Sequence, residues 1–198
     1  MIMKKLSFLL PTTGRSTLTD MLNSLENQLD VDDNVYLFVD GDKYWDCVDK
    51  QLALLKTPKF NLIVNYEKQN LGFWGCGLRN KYQKNLDGDY ILHCDDDDVY
   101  IEGSIKKIKE NYTDDKTINF FKFYINYSLN QFVWNTPKLN ISDIGTPSGI
   151  IPNIPENFGT WGYRYGGDFD FYNSCKFNHN FIDDFIYVVK PRQTGYYK

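Results

Sequence analysis

Between Leu6 and Cys94 the chain alternates four short apolar runs with three amphipathic stretches, and this alternation limits the possible folds more than any other feature. Leu6 to Leu10 is stopped by Pro11-Thr12-Thr13-Gly14 and Val35 to Val39 by Asp40-Gly41-Asp42; Asn61 to Tyr66 and Tyr90 to Cys94 complete the set. Short apolar runs bounded by turn formers suit buried parallel strands. Ser16 or Thr17 can cap a helix reaching about Leu29, with Leu18, Met21, Leu22, Leu25 and Leu29 on one face. Trp45 to Leu55 reads as a second helix, ended by Thr57-Pro58, and about Phe73 to Leu86 as a third. Right-handed crossovers turn such a β-α-β-α-β-α-β series into an α/β fold, a mostly parallel central sheet flanked by helices. Ligands of these sheets bind beyond the carboxyl ends of the strands, where the loops converge. A site is therefore expected among Pro11 to Arg15, Asp40 to Lys43, Glu67 to Gly77 and Asp95 to Glu102.

After Asp98 the order changes to a helix near Gly103 to Asn111, strands near Ile118 to Tyr127 and Gln131 to Trp134, and a Gly/Pro/Asn-rich stretch to Tyr165. No repeat or low-complexity linker marks a boundary, and 198 residues suit a single domain. With a net charge of −4 and no long Lys/Arg run, the chain lacks the positive stripe that nucleic acid requires. Met1 to Leu10 has too short an apolar stretch for a signal-peptide core, and no run is long enough for a transmembrane segment. The dispersed Cys47, Cys76, Cys94 and Cys175 form no zinc or redox pair, so reduced thiols in the cytoplasm are expected (host cytoplasm for a viral chain). The sequons at Asn111, Asn126 and Asn140 then read as accidents of an Asn-rich chain.

Chemistry is expected first at Asp95-Asp96-Asp97-Asp98, directly after the apolar run Tyr90 to Cys94. In an extended segment side chains alternate, so Asp95 and Asp97 are expected on one side and Asp96 and Asp98 on the other. Two carboxylates about 4 Å apart repel by roughly 4 kcal/mol at an effective dielectric near 20, a cost that a divalent cation reverses. Oxygen-only ligands favour Mg²⁺ or Mn²⁺, kept partly hydrated and completed by substrate phosphates. A solvated acidic turn is the plainer alternative.

Here the sequence resembles the GT-A glycosyltransferases, especially the inverting family 2 type. Tyr90 to Val99 is similar to that family's strand followed by Asp-x-Asp-Asp, which implies Asp95 toward the ribose and Asp97 on the metal. Leu6 to Arg15 resembles its opening strand and first nucleotide-binding turn, implying nucleotide contacts from Pro11, Thr12, Thr13 and Arg15, with Asp96 beside them. Asp40 matches the acidic residue that commonly contacts the base. Asn70-Leu71-Gly72 and Arg79-Asn80 resemble its Asn-x-Gly and Ala-Arg-Asn stretch, with Leu78 in place of Ala. These motifs cover Leu6 to about Glu102 in order. In the second half Tyr165-Gly166-Gly167-Asp168-Phe169-Asp170 resembles the Gly-Glu-Asp-x-Asp segment that supplies the catalytic base, with Gly167 where Glu is usual. Asp168 is the implied base and Asp170 its neighbouring competitor; a capping role for Asp168 on a helix is compatible with either.

The resemblance implies inverting transfer of a sugar from a nucleoside-diphosphate sugar, a UDP-sugar above all, to a glycan or glycoconjugate hydroxyl. It also implies a nucleotide-sugar half over about 1–102 and an acceptor half over about 103–198. Charge on the departing diphosphate calls for a cation, from Arg79 or Arg15, or from Lys190 or Arg192 near the end. His93, inside a strand, reads as a packed, hydrogen-bonded core residue. His179 lies at a distance after the base segment where some GT-A enzymes place a further metal ligand, which makes it a candidate beside Asp97 and Asp95. Trp161 and Tyr163 can form an acceptor platform or pack in the core. Two competing functions are a sugar-phosphate nucleotidyltransferase, whose Gly-rich loop with Arg and Lys is not matched by Pro11 to Leu18, and a non-catalytic nucleotide- or glycan-binding module.

Overall fold

The computed structural model describes residues 4–112, 114–125, 131–133, 137–141 and 143–189. Four parallel strands, β1 (Leu6–Thr12), β2 (Asn34–Asp40), β3 (Asn61–Glu67) and β4 (Tyr90–His93), lie in the order β3-β2-β1-β4. Every residue of β1 is buried, as a run apolar on both faces requires. Helix α1 (Leu18–Glu26) lays Leu18, Met21, Leu22 and Leu25 into the core. It is followed by α2 (Trp45–Leu52) and α3 (Cys76–Tyr82). The third helix is shorter than its sequence predicts. Phe73 and Trp74 both have positive φ and Gly75 is left-handed, so the chain cannot enter a regular helix before Cys76.

Beyond β4 the sheet is mixed rather than uniformly parallel. Strand β5 (Val99–Tyr100), helix α4 (Ser104–Glu110), β6 (Thr117–Ile125) and β7 (Gln131–Val133) precede β8 (Gly149–Pro152), helix α5 (Gly167–Ser174) and the long β9 (Asn178–Val189). Strand β8 runs antiparallel between β4 and β6, β9 runs parallel to β6, and β5 closes the path antiparallel to β9. The expected ends at Tyr127 and Trp134 lie outside the described residues.

The consequence for function lies in one crossing. Strand β4 sits mid-sheet, yet β5, which begins at Val99, pairs with β9 at the far edge. The sheet curls, and the segment from Cys94 to Asp98 bridges its open end. Four aspartates therefore span the mouth of the curl, facing the loops that leave β1, β2 and β3. No helix of the described residues is long and apolar enough to cross a membrane.

Candidate active site

A cleft of about 570 Å³ opens at that mouth, within the range of small-ligand sites. Pro11, Thr12, Thr13 and Arg15 line it from the first loop, Asp40 from the second strand, Arg79 from α3, Asp95 to Asp98 from the bridge and Asp168 from α5. The nucleotide positions named from the sequence and Asp168 thus meet in one cavity, while the competing Asp170 lies outside it.

Each side chain is held by identifiable partners. Thr12 Oγ1 accepts the Gly14 N–H at 2.9 Å and donates to Asp96 Oδ2 at 2.6 Å, so one hydroxyl ties the first loop to the acidic bridge. Burial pushes the Asp96 carboxyl up, and that hydrogen bond opposes the shift. Arg15, about half-exposed, is paired with Asp97 and lies 3.7 Å from Asp96 Oδ1. Asp40 is buried, with Oδ1 accepting from Leu71 N at 2.6 Å and Oδ2 from Gly72 N at 3.0 Å. Its carboxylate thereby anchors the loop that rims the cleft.

Arg79, a candidate cation for the diphosphate, is only 1% exposed. One terminal nitrogen donates to the Trp74 carbonyl at 2.9 Å, and the other to Cys94 O at 2.8 Å and Asp95 Oδ1 at 2.6 Å. Its guanidinium lies 4.7 Å from the ring of fully buried Trp161. Desolvation alone would lower the Arg79 pKa, but the Asp95 carboxylate outweighs it and the net shift is upward. The residue is a permanently charged clamp that orients Asp95 and the end of β4.

The alternation expected for the four aspartates is not found, because β4 stops at His93 and Asp96-Asp97 form a turn. Asp95 turns to Arg79, Asp96 to Thr12 and Asp97 to Arg15. Among the described residues no three His, Cys, Asp or Glu side chains converge into a complete metal cage. The structure does not bring His179 to this rim. It stands near the start of β9, the end opposite the cleft-lining Val189, with its ring edge-on to Phe120 at 5.4 Å.

On the other wall Gly166, left-handed at φ 82°, turns the chain into α5, and Asp168 follows in the first turn. Its Oδ1 accepts the Phe169 N–H at 2.8 Å. Burial raises the Asp168 pKa to about 6, with Asp95 adding to the rise and Arg79 opposing it. The departure from the family pattern at Gly167 has a steric cause: a Cβ there would lie 2.2 Å from the Gly162 carbonyl oxygen. Asp170 points back to Arg164 and is not among the cleft residues.

His93 is buried edge-on against Trp161 and Phe171, and burial followed by the Arg79 charge lowers its pKa well below the ordinary value. Its packing is as read, but Nδ1 has no hydrogen-bond partner. Trp161 is core, whereas Tyr163 is exposed. Lys190 and Arg192 lie outside the described residues. Two contributors escaped the sequence. The hydroxyl of Tyr187 accepts the Asp95 N–H at 3.2 Å from β9, a strand whose polar start hides it, and Trp74 is presented into the cleft by backbone that no periodicity signals.

A family model described as "Glycosyl transferase family 2" matches residues 7–186. No curated protein sequence matches significantly. Among solved structures, S. aureus TarS 1-349 superposes with a TM-score of 0.71 at 20% identity, over 94% of this chain and 60% of that one. Its complex with UDP gives 0.67 at 20% identity, over 93% and 60%. Mannosyltransferase PcManGT from Pyrobaculum calidifontis, in complex with GDP-Man and Mn2+, gives 0.66 at 13% identity, over 98% and 59%. At such identities the likeness is one of fold, and the chain spans about 60% of the length of these relatives. The family match over most of the length, on a cleft where the motif residues converge, places this chain in glycosyl transferase family 2.

Proposed function

We propose that the protein transfers a sugar from a nucleoside-diphosphate sugar, a UDP-sugar above all, to a glycan hydroxyl with inversion at the anomeric carbon. One observation carries this reading: a single cleft holds partnered carboxylates on its strand-end wall and one desolvated carboxylate, Asp168, on the opposite wall. Residues 1–102 then serve chiefly the nucleotide and 103–198 the acceptor. TarS has been solved with UDP and with UDP-GlcNAc, and the Pyrobaculum relative with GDP-Man and Mn2+, which supports a donor of this class.

Asp168 takes the proton from the acceptor hydroxyl as that oxygen attacks the anomeric carbon, and the nucleoside diphosphate leaves from the opposite face. A carboxyl with a pKa of about 6 is a stronger base than an ordinary aspartate and is still ionised near neutrality. Asp97 and Asp95 would hold Mn²⁺ or Mg²⁺, their hard oxygen donors suiting either ion. When bound, the metal supplies charge stabilisation for the diphosphate. Arg15, on the half-exposed side of the cleft, can exchange Asp97 for a phosphate oxygen. Arg79 keeps Asp95 in position, and Asp40 with Thr12 shapes the nucleotide end.

The reading is tested by melting the protein with UDP and Mn²⁺. At 100 times Kd, binding stabilises by about 2.7 kcal/mol, a rise of several degrees in Tm. Asp97→Ala is expected to abolish the metal-dependent part of that rise. A Tm indifferent to UDP with Mn²⁺, or an undiminished rise in the variant, would sink the assignment.

A further inference from the structure

Large hydrophobic side chains are exposed unevenly over this molecule. Of eight such residues among those described, Trp74, Ile141 and Tyr165 line the cleft, and Phe73 and Tyr163 stand beside them with ring centroids 4.9 Å apart. Trp74 is 69% exposed and Tyr165 84%. Leaving such rings in water forgoes burial energy, and a cluster of them at a cleft marks a binding surface.

The backbone beneath is strained in favour of this display. Phe73 and Trp74 have φ of 53° and 52°, the left-handed region, which costs an aromatic residue on the order of 1 kcal/mol or more. Three contacts hold it there. Asp40 accepts from Leu71 and Gly72, buried Arg79 donates to the Trp74 carbonyl, and Gly75 sits so near Pro11 that a Cβ would meet the ring at 2.7 Å. Strain fixed by buried partners while its side chains remain in solvent is the pattern of a ligand-contacting loop.

Place and charge decide the ligand. Tyr163 and Tyr165 immediately precede α5 and Asp168, so the rim adjoins the wall where an acceptor hydroxyl must lose its proton. Arg164, the cation within this rim, is paired with Asp170 and donates to the Tyr165 carbonyl. The wall opposite carries Asp95 to Asp98. The rim cation is thus already engaged and offers little to an anionic acceptor. Flat rings, two of them tipped with a hydroxyl, match a neutral pyranose, whose C–H face is apolar and whose edge is polar. We propose that Phe73, Trp74, Tyr163 and Tyr165 form a stacking platform that grips a neutral saccharide acceptor. This deepens the transfer reading and rests on it.

Calorimetric titration of the intact protein, loaded with UDP and Mn²⁺, tests the platform. The probes are neutral maltotriose, cellotriose and chitotriose, with sulfated and sialylated oligosaccharides beside them. At least one neutral probe is expected to bind. Trp74→Ala and the double Tyr163→Ala/Tyr165→Ala variant are each expected to raise its Kd about tenfold or more. Tyr163→Phe/Tyr165→Phe keeps the rings and is expected to retain most of the affinity, with the Kd for UDP unchanged in both double tyrosine variants. The platform is refuted by neutral probes that bind the alanine variants equally well, by binding of anionic probes alone, or by no response to any neutral probe. Self-association of the protein relieved by the alanine variants refutes it too, because the rings then serve a protein contact. Absence of UDP binding to the unaltered protein breaks the transfer reading, whereas UDP binding without a saccharide response breaks only this one.

Discussion

Asp95, Asp96 and Asp97 at the end of β4 each have a guanidinium or a hydroxyl donor in hand, whereas Asp168 at the start of α5 has a backbone N–H and little water. Both groups face one cleft. On the proposed reading the first wall presents negative charge to a cation, its buried Asp96 steadied by the Thr12 hydroxyl, and the second, where burial makes negative charge expensive with no side-chain donor to offset it, supplies the base. Residue type does not distinguish these roles. Local partners and solvent do.

The contrast breaks first at Asp168. Asp168→Asn is expected to lower the transfer rate by about 10² to 10⁴, the ordinary worth of a positioned base, while UDP still binds. Steady-state kinetics beside a UDP titration read both quantities, and an active variant would remove Asp168 from the base role. The same substitution carries a stability signature. Because the folded carboxyl holds its proton up to about pH 6, against an ordinary 3.8, its contribution to stability is complete below about pH 4 and is lost as pH rises through 6. Above that the charge costs the fold about 3 kcal/mol, so Asp168→Asn should melt higher at pH 8.

The clamped wall breaks at Arg79. Arg79→Met leaves Asp95 without its cation and the Cys94 and Trp74 carbonyls without a donor, an expected loss of about 3 to 5 kcal/mol by urea unfolding. If the melt is unchanged, the guanidinium is not the clamp. The smallest effect sharpens the comparison. kcat/KM should fall about tenfold per pH unit below about pH 6, as Asp168 takes up its proton. An acid limb well away from 6 would assign the base to another group.

The two halves of the fold were unequally legible. β1 to β4 and the helices between them follow from apolar runs closed by Pro, Gly and Asp, because β1 and β4 are buried throughout and β2 at all but Tyr36. β8 was hidden: Gly149-Ile150-Ile151-Pro152 is too short and too rich in breakers to declare itself, and only its neighbours β4 and β6 make it a strand. β9 was hidden too, since its polar start and the register shifts opposite Phe121 to Phe123 erase alternation. At the cleft, the identities of Thr12, Asp40, Asp95 to Asp98 and Asp168 were readable as motif, and His179 stood near in spacing only. Thirty ångströms of strand, roughly, can separate residues ten positions apart.

By itself, the sequence determined the α/β class and the loops that line the cleft, because strand periodicity and turn residues are local properties, and it carried the family through the resemblance of its motifs. Tertiary structure alone decided that Arg79 is a buried clamp, that Asp168 is desolvated, that Gly167 admits no side chain and that Trp74 is displayed to solvent. Those outcomes depend on what distant segments bring into contact, and burial, which sets charge and strain, is not encoded at any single position.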